Sequence, residues 1–325
     1  MIHLVEPKDK KEWDELLLGH NGSFTQSWQW GEMQKREGGK ALRFSILRDN
    51  NVLGCLSLYV RKTPAGFYGY IPRGPAVGER DLSDKDWSDL LELLHEIAKR
   101  EDLVFLLFEP VYPGAFGNLR AAENRQPNKT IFIDLLNPLE DLLSRINKTK
   151  RYGIRYAENH GVTVRISDKS KTDFEKFWKL LQGTAARKQF GTFSRSHFEN
   201  IFYEDISKMF LAEYEGHVEA AAEVIFFGDT AIYLHAGTSG KNEKLMASYL
   251  LVWEILKKAK QDGLKYLDLW GIDHNRWPGV TAFKESFGGR EITYPDARLV
   301  VYKRFRYFVY KLMHAVRNLL QRFTG

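Results

Sequence analysis

The chain has 325 residues, 43% of them hydrophobic and 28% charged, with 8 Trp, 15 Tyr and 21 Phe. That length and apolar content suit about two packed domains and exclude a disordered tail or a small stapled scaffold. A formal charge of +6 agrees with RNA, phosphate-bearing substrates or an anionic membrane face as partners, and a single cysteine excludes a disulfide framework and a cysteine zinc cluster.

The opening Met1-Ile-His-Leu-Val-Glu-Pro-Lys-Asp-Lys has no apolar signal core, and no run reaches the length of a membrane span, so a cytoplasmic protein is expected. A first amphipathic helix ends at Gln34-Lys35-Arg36. Ala41 to Leu47 and Val52 to Lys62 read as a hairpin around Asp49-Asn50-Asn51, with Cys55 as a small buried hydrophobe. Trp87, Leu90, Leu91, Leu94, Ile97 and Ala98 share one face of a helix at about 85–100. A buried-type strand, Leu103 to Phe108, runs into Glu109-Pro110. After a strand at Thr130 to Leu135, a helix opens near Pro138 and stops at Gly161. Its residues Lys148, Arg151 and Arg155 share a face, with Lys150 beside them; this is either an RNA-backbone contact or a solvated surface.

A helix at about 172–188 leads to the second half of the chain. There the strands Met209 to Tyr214, Val218 to Phe227 and Thr230 to Ala236 precede a helix at about 244–261 and a strand at Leu264 to Trp270. This order repeats that of residues 41–108. Ala98-Lys99 corresponds to Ala259-Lys260, and Leu103, Phe105 and Leu106 correspond to Leu264, Tyr266 and Leu267. A duplicated strand–strand–helix–strand unit predicts an α+β fold of two similar domains with a cleft between them. The first domain is expected over residues 1–137, completed by a C-terminal helix at about 300–325, and the second over 138–299.

The helix from Lys303 to Phe323 places Phe305, Phe308, Val309, Leu312, Met313, Val316, Leu319, Leu320 and Phe323 at helical spacing, among Lys303, Arg304, Arg306, Lys311, Arg317 and Arg322. Such a basic amphipathic helix either lies on an anionic membrane or packs on its own protein. The nine histidines show no metal-ligand spacing, so neither a metal nor another cofactor is expected.

Several segments, in this order, resemble the FemABX family, which forms the cross-bridges of bacterial peptidoglycan. They are Phe24-Thr-Gln-Ser-Trp-Gln-Trp-Gly31, Gly69-Tyr-Ile-Pro-Arg-Gly-Pro75, Gln126-Pro-Asn-Lys-Thr-Ile-Phe-Ile-Asp134 and Lys148-Thr-Lys-Arg-Tyr-Gly-Ile-Arg-Tyr-Ala157 with Gly161-Val162. Thr184-Ala-Ala-Arg-Lys-Gln-Phe190, Leu267-Asp-Leu-Trp-Gly-Ile272 and Phe283-Lys-Glu-Ser-Phe-Gly-Gly289 follow. The resemblance implies two tandem N-acyltransferase-type (GNAT-like) domains. It also implies transfer of an amino acid from aminoacyl-tRNA to an amine of a peptidoglycan precursor, either UDP-MurNAc-pentapeptide or lipid II. The short stretch between the 172–188 helix and the strand at 209 marks the compact FemX-like form, without a coiled-coil arm.

The resemblance also implies roles for residues. Phe283-Lys284 matches the pair needed for activity, and a fixed cation there would stabilise the oxyanion of ester aminolysis. The plainer reading is a core phenylalanine beside a helix-face lysine. Tyr70 and Arg73 are candidates for the substrate diphosphate, since a guanidinium fork suits phosphates, or else form a rigid turn. The family's basic diphosphate contact aligns with Gln34, leaving Lys35 and Arg36 beside it, and Arg195 resembles a second phosphate-binding arginine; the alternative for both is a solvated surface charge. Glu109 matches an acidic residue suited to binding the acceptor ammonium or to taking its proton, of which binding is the favoured role, and Asp268 is its counterpart in the second half. Tyr233, on the strand from Thr230, joins this substrate-binding set. Two other readings stand beside transfer from tRNA. One is an acyl-CoA N-acyltransferase, hinted at by Arg36-Glu-Gly-Gly39-Lys-Ala41, although that loop lies between a helix and a strand rather than the reverse. The other is a non-catalytic module that binds RNA or precursor at the membrane.

Overall fold

The computed structural model describes residues 2–78, 82–112, 116, 118–188 and 191–323, with the side chains of the last helix described through Val316. The chain begins with β1 (Ile2–Val5), α1 (Lys10–Gly19), α2 (Trp28–Arg36), β2 (Lys40–Arg48), β3 (Asn51–Thr63), β4 (Gly66–Ile71) and β5 (Ala76–Val77). Next come α3 (Asp84–Arg100), β6 (Leu103–Phe108), β7 (Arg120–Ala122), β8 (Lys129–Asp134), α4 (Leu139–Arg145), α5 (Lys148–Asn159), β9 (Thr163–Ile166), α6 (Lys171–Lys188) and α7 (Arg195–Phe202). Then follow β10 (Ser207–Tyr214), β11 (His217–Phe227), β12 (Thr230–Thr238), α8 (Ala247–Gln261), β13 (Tyr266–Gly271), α9 (Pro278–Glu285), β14 (Arg290–Thr293), β15 (Ala297–Val301) and α10 (Arg304–Phe323). Two compact units result, one of residues 1–128 with 294–325, the other of residues 129–293.

In the first unit the sheet runs β1-β2-β3-β4-β6-β15-β7, with β5 paired to β3. Among the described residues only β4 and β6 are parallel neighbours in this sheet, and α3 is the crossover between them. Ser83 and Asp86 form a capping box at the start of α3, and Leu90, Leu94, Ile97 and Ala98 are its buried face. Gln26 explains the Phe24–Gly31 motif: its buried amide donates to the Pro72 carbonyl at 2.7 Å and accepts from the Ser57 N–H at 2.6 Å. Truncating it would strand buried backbone groups at a cost of about 1–3 kcal/mol. Helix α10 packs its Tyr307 and Tyr310 rings on Phe105 at 5.2 and 4.8 Å, and Lys303 pairs with Asp102.

In the second unit the order is β14-β8-β13-β12-β11-β10-β9, and α8 is the crossover between the parallel β12 and β13. One core lies under α5 and α8, and includes Ile154, Leu251, Ile255 and Leu269. A second, of Phe174, Phe177, Phe198, Phe202 and Leu211, lies under α6 and α7. Gly153 lets α5 pass close to Met246, since a Cβ there would stand 2.3 Å from the Met246 sulfur. The strand–strand–helix–strand order read twice in the sequence occurs in both units, and the structure adds β4 to the first half as the counterpart of β12, each parallel to the strand after the helix.

Two expectations are corrected. The units divide at 128/129 and 293/294 rather than at 137/138 and 299/300, because β8 pairs with β13 and β14 while β15 pairs with β6 and β7. The single helix expected from Pro138 to Asn159 is two helices. Asn147 breaks it by capping α5 through the Thr149 N–H, while its own N–H donates to the Ser286 carbonyl at 2.8 Å. The short stretch before the strand at 209, in which no arm is expected, holds the eight-residue α7, kept in place by the Ser194 cap and by buried Phe198 and Phe202.

Candidate active site

In the second unit, β12 and β13 pair only from Thr230↔Tyr266 to Ile232↔Asp268, although β12 continues to Thr238 and β13 to Gly271. Both strands are distorted there. The β11–β12 register shifts between Val224↔Tyr233 and Glu223↔His235, leaving Leu234 as the extra residue. Along β13 the register with β8 shifts between Asp268 and Gly271, and Trp270 takes the left-handed conformation at φ 56°. The Asp268 carboxylate stabilises this bulge by accepting from the Trp270 N–H at 2.7 Å, and also accepts from the Thr130 hydroxyl.

Lys284, on α9, meets the end of this bulge. Its Nζ donates to the Gly271 carbonyl at 2.7 Å, and the residue is 7% exposed. Thr281 holds α9 to the preceding loop by accepting from the Asp273 N–H and donating to the Asp273 carbonyl, both at 3.0 Å. Burial pulls the Lys284 ammonium down to about 8 from its ordinary 10.5, and the negative Asp268 opposes that shift. Lys284 is therefore a buried cation near neutral pH with few groups to satisfy it. Such a group suits charge that develops on an oxygen beside it.

Phe283 turns toward the α8 side and packs on Tyr249 and Phe287 at 4.9 and 5.2 Å. It fixes α9 and hence the root of Lys284. Tyr233 is buried on β12, and burial raises its phenol above the ordinary range. His235 packs edge-on against Phe198 at 4.8 Å. Burial first, then the positive fields of His197 and Lys284, push it down to about 3, so it stands as a neutral imidazole.

In the first unit Glu109 is 3% exposed at the end of β6. The Tyr70 phenol donates to one carboxyl oxygen. The Arg125 N–H, and the Gln126 N–H at 2.8 Å, donate to the other. Burial raises the Glu109 carboxyl above its usual range against these donors, and burial with the Glu109 charge raises the Tyr70 phenol well above its own. Arg73 turns inward. It is 4% exposed, its guanidinium lies 3.4 Å over the Tyr294 ring, and it donates to the Pro127 carbonyl. Arg125 spans Tyr68 and Tyr310, donating to their hydroxyls at 2.5 and 2.7 Å.

The remaining basic residues are more dispersed. Lys35 and Arg36 are exposed, and Lys35 pairs with Glu32 at 2.9 Å. The neighbouring Gln34 is buried and accepts from Arg61 at 2.8 Å. Arg195 grips Glu175 with both nitrogens and Glu199 at 3.2 Å. On α5, Lys148 and Arg155 are exposed, and Lys150 lies 4.7 Å over the Tyr249 ring. Arg151 donates to the Ser144 carbonyl and, at 2.8 Å, to the Ile146 carbonyl at the end of α4. Gln189 and Phe190 of the family motif lie outside the described residues, as do the side chains of Arg317, Leu319, Leu320, Arg322 and Phe323. His274, Glu285 and Glu291 bring ligand-type atoms within 4.8 Å of one another on the surface. The group is already an ion-pair cluster, His274 meeting Glu285 at 2.9 Å and Glu291 meeting Lys129 at 2.7 Å.

Thr130 and Arg125 hold the two central carboxylates, and sequence reasoning missed both. Each acts on a partner far away in sequence, and neither residue type is distinctive alone. Thr130 opens the Thr-Ile-Phe-Ile strand run, the one clue to its placement.

The FemAB family model matches residues 9–139, 114–217 and 204–315. A lipid II:glycine glycyltransferase of Staphylococcus aureus is 31% identical over 214 residues, covering 59% of this chain and 50% of the relative, so the chain spans about half the length of the curated relatives it matches. The crystal structure of FemX superposes with a TM-score of 0.80 at 19% identity, covering 95% of this chain and 99% of that one. A tandem GNAT protein from the clavulanic acid biosynthesis pathway superposes with a TM-score of 0.57 at 11% identity, covering 93% and 98%. These likenesses identify the α+β architecture as two GNAT-like domains. With family matches that run from residue 9 to residue 315, the chain belongs to the FemAB family.

Proposed function

We propose that this protein is an aminoacyltransferase that moves an amino acid from the ester of a charged tRNA to an amine of a peptidoglycan precursor stem peptide. The observation that carries the reading is the buried Lys284 cation at the β12/β13 gap, 2.7 Å from the Gly271 carbonyl. The similarity to a lipid II:glycine glycyltransferase supports peptidoglycan as the destination. In the reaction the acceptor nitrogen bonds to the ester carbonyl carbon. Before that bond forms the acceptor ammonium gives one proton to solvent; the carbon–oxygen bond to the tRNA ribose then breaks, and a second proton passes from the nitrogen to the departing oxygen by way of solvent or a site group. An activated ester needs positioning and a cation over the developing oxyanion. Lys284 supplies the cation and Phe283 anchors its helix.

The other assignments follow from chemistry. Glu109, held by Tyr70 and two backbone N–H groups, binds the acceptor ammonium. Asp268 keeps the β13 bulge, and therefore Lys284, in place, and Tyr233 lines the same strand gap. Lys35 and Arg36 are the exposed cations for precursor phosphates, Arg195 reaches a phosphate only by giving up Glu175 and Glu199, and Arg73 positions the segments at 127 and 294 from within. Lys148, Lys150, Arg151 and Arg155 on α5 face the tRNA backbone. The acceptor is either the nucleotide-linked precursor or lipid II. A lipid-linked acceptor fits the peripheral contact of the 303–323 helix with the inner membrane face. Among the described residues no helix is long and apolar enough to cross a membrane.

The test is transfer from a mixture of radiolabelled aminoacyl-tRNAs to UDP-MurNAc-pentapeptide or to lipid II. Label reaching the precursor, dependent on intact tRNA and lost in Lys284→Ala, is the expected result. A folded enzyme that labels neither acceptor, but acylates an amine from an acyl-CoA, would overturn the reading.

A further inference from the structure

Helix α10 presents three distinct faces. At about 100° per residue, Tyr307 and Tyr310 point together toward the first unit's sheet, where they meet Phe105. On the opposite side Phe305, Phe308, Leu312 and Val316 recur every three or four residues, and they are 77, 63, 56 and 47% exposed. Arg304 and Lys311 border this stripe on one flank and Arg306 borders it on the other. No Asp or Glu occurs anywhere from Arg304 to Phe323.

An uncovered row of aromatic and aliphatic side chains bounded by cations on both flanks is an unusual surface for water alone. We propose that α10 lies in the plane of an anionic phospholipid surface, with the Phe305–Val316 stripe entering the boundary between headgroups and acyl chains and the bordering cations meeting lipid phosphates. Charge selects this occupant. A second copy of the helix packed on the stripe would bring Arg304 and Lys311 against their own kind with no acidic residue in the helix to offset them, whereas an anionic bilayer offers both hydrocarbon and negative charge. The tyrosine face makes the address rigid. Tyr310 is bonded to Arg125 at 2.7 Å, and both Lys303 and Arg306 pair with Asp102, so the apolar stripe stays turned outward. The inference deepens the membrane contact of the proposed function and rests on that reading for a biological reason to be there. Its test does not depend on transfer.

The experiment is flotation of the full chain with phosphatidylcholine vesicles, with and without phosphatidylglycerol, across a salt series. Binding is expected to require phosphatidylglycerol, to weaken with salt, and to drop about tenfold or more in the double variant Phe305→Glu/Phe308→Glu. Both positions are exposed, so unchanged circular dichroism and Tm in the variant tie the loss to the stripe. Three results would overturn the inference: no recovery with phosphatidylglycerol vesicles, recovery unchanged in the double variant, or a dimer in solution that the double variant dissolves while vesicles bind neither form. Vesicle binding by a chain that transfers no amino acid supports the inference and removes only the reaction.

Discussion

The Nζ of Lys284 is held 2.7 Å from the carbonyl of Gly271, the residue that closes the β13 bulge. A sheet irregularity thereby sets the position of a buried charge. If that charge meets a developing oxyanion, Lys284→Ala lowers kcat about 10²–10³-fold with a smaller change in KM. The ammonium is drawn down to about 8 by burial, so the cation disappears as pH rises through that value. The expected kcat/KM profile falls on its alkaline limb near pH 8, and Lys284→Arg, which keeps its charge, moves that limb out of range. A flat alkaline limb in the wild type would show that the cation plays no part.

Glu109 follows β6 as a carboxylate that burial makes reluctant to ionise and that three donors persuade to do so. As the acceptor's counter-ion it should appear in KM. Glu109→Gln is expected to raise the acceptor KM about tenfold or more while kcat moves less. Tyr70→Phe removes the phenol donor, which raises the carboxyl further. The variant's acceptor KM should therefore climb at a higher pH than the wild type's as the solution is acidified. Steady-state kinetics over pH decides this, and an unchanged acceptor KM in Glu109→Gln would remove the ion pair.

What the sequence makes legible depends on how locally it is encoded. The hairpin β2–β3, the helices α3 and α8 and the repeat they form follow from apolar periods within a few residues. The Asn147 cap was also local, yet the basic run from Lys148 to Arg155 continues the helical pattern across it and masks the break. The exchange of β8 and β15 between units was not legible, because each strand pairs with partners over 100 residues away in the chain or on the far side of a whole unit. Lys284 and Glu109 could be singled out as residues, but not as buried groups. Their character comes from Gly271, Thr130 and Arg125, whose roles exist only after folding. Arg195 shows the reverse: a basic residue in a promising motif meets Glu175 and Glu199 when folded.

Arg125 ties the α10 helix to the Glu109 loop, since its guanidinium bonds Tyr310 and Tyr68 while its backbone N–H donates to Glu109. Removing one hydroxyl tests the tie. Tyr310→Phe keeps the ring on Phe105 but removes one partner of a guanidinium that water can still reach, at a cost of about 1 kcal/mol or less. Hydrogen exchange should rise first in α10 and then at residues 125 and 126. Faster exchange confined to α10 would mean that the helix and the Glu109 loop are independent.

Glu223 sits fully buried at the centre of β11, and neither of its carboxyl oxygens has a hydrogen-bond partner among the described residues. Burial holds its pKa well above the ordinary 4.5. The Ser207 hydroxyl and the Lys169 ammonium oppose that shift, although Ser207 lies outside hydrogen-bonding geometry. The folded state thus binds this proton more tightly than the unfolded chain does. The associated stability is present in full below pH 4.5 and drains away as pH rises toward the folded value. Glu223→Gln carries no such proton, so the variant should gain on the wild type as pH rises, and at pH 7 it should differ by no more than about 1 kcal/mol or be the more stable. Urea unfolding from pH 5 to pH 8 measures both slopes. A variant that instead loses ground steadily as pH rises would mean that Glu223 is ionised in the fold and that a cation meets it there.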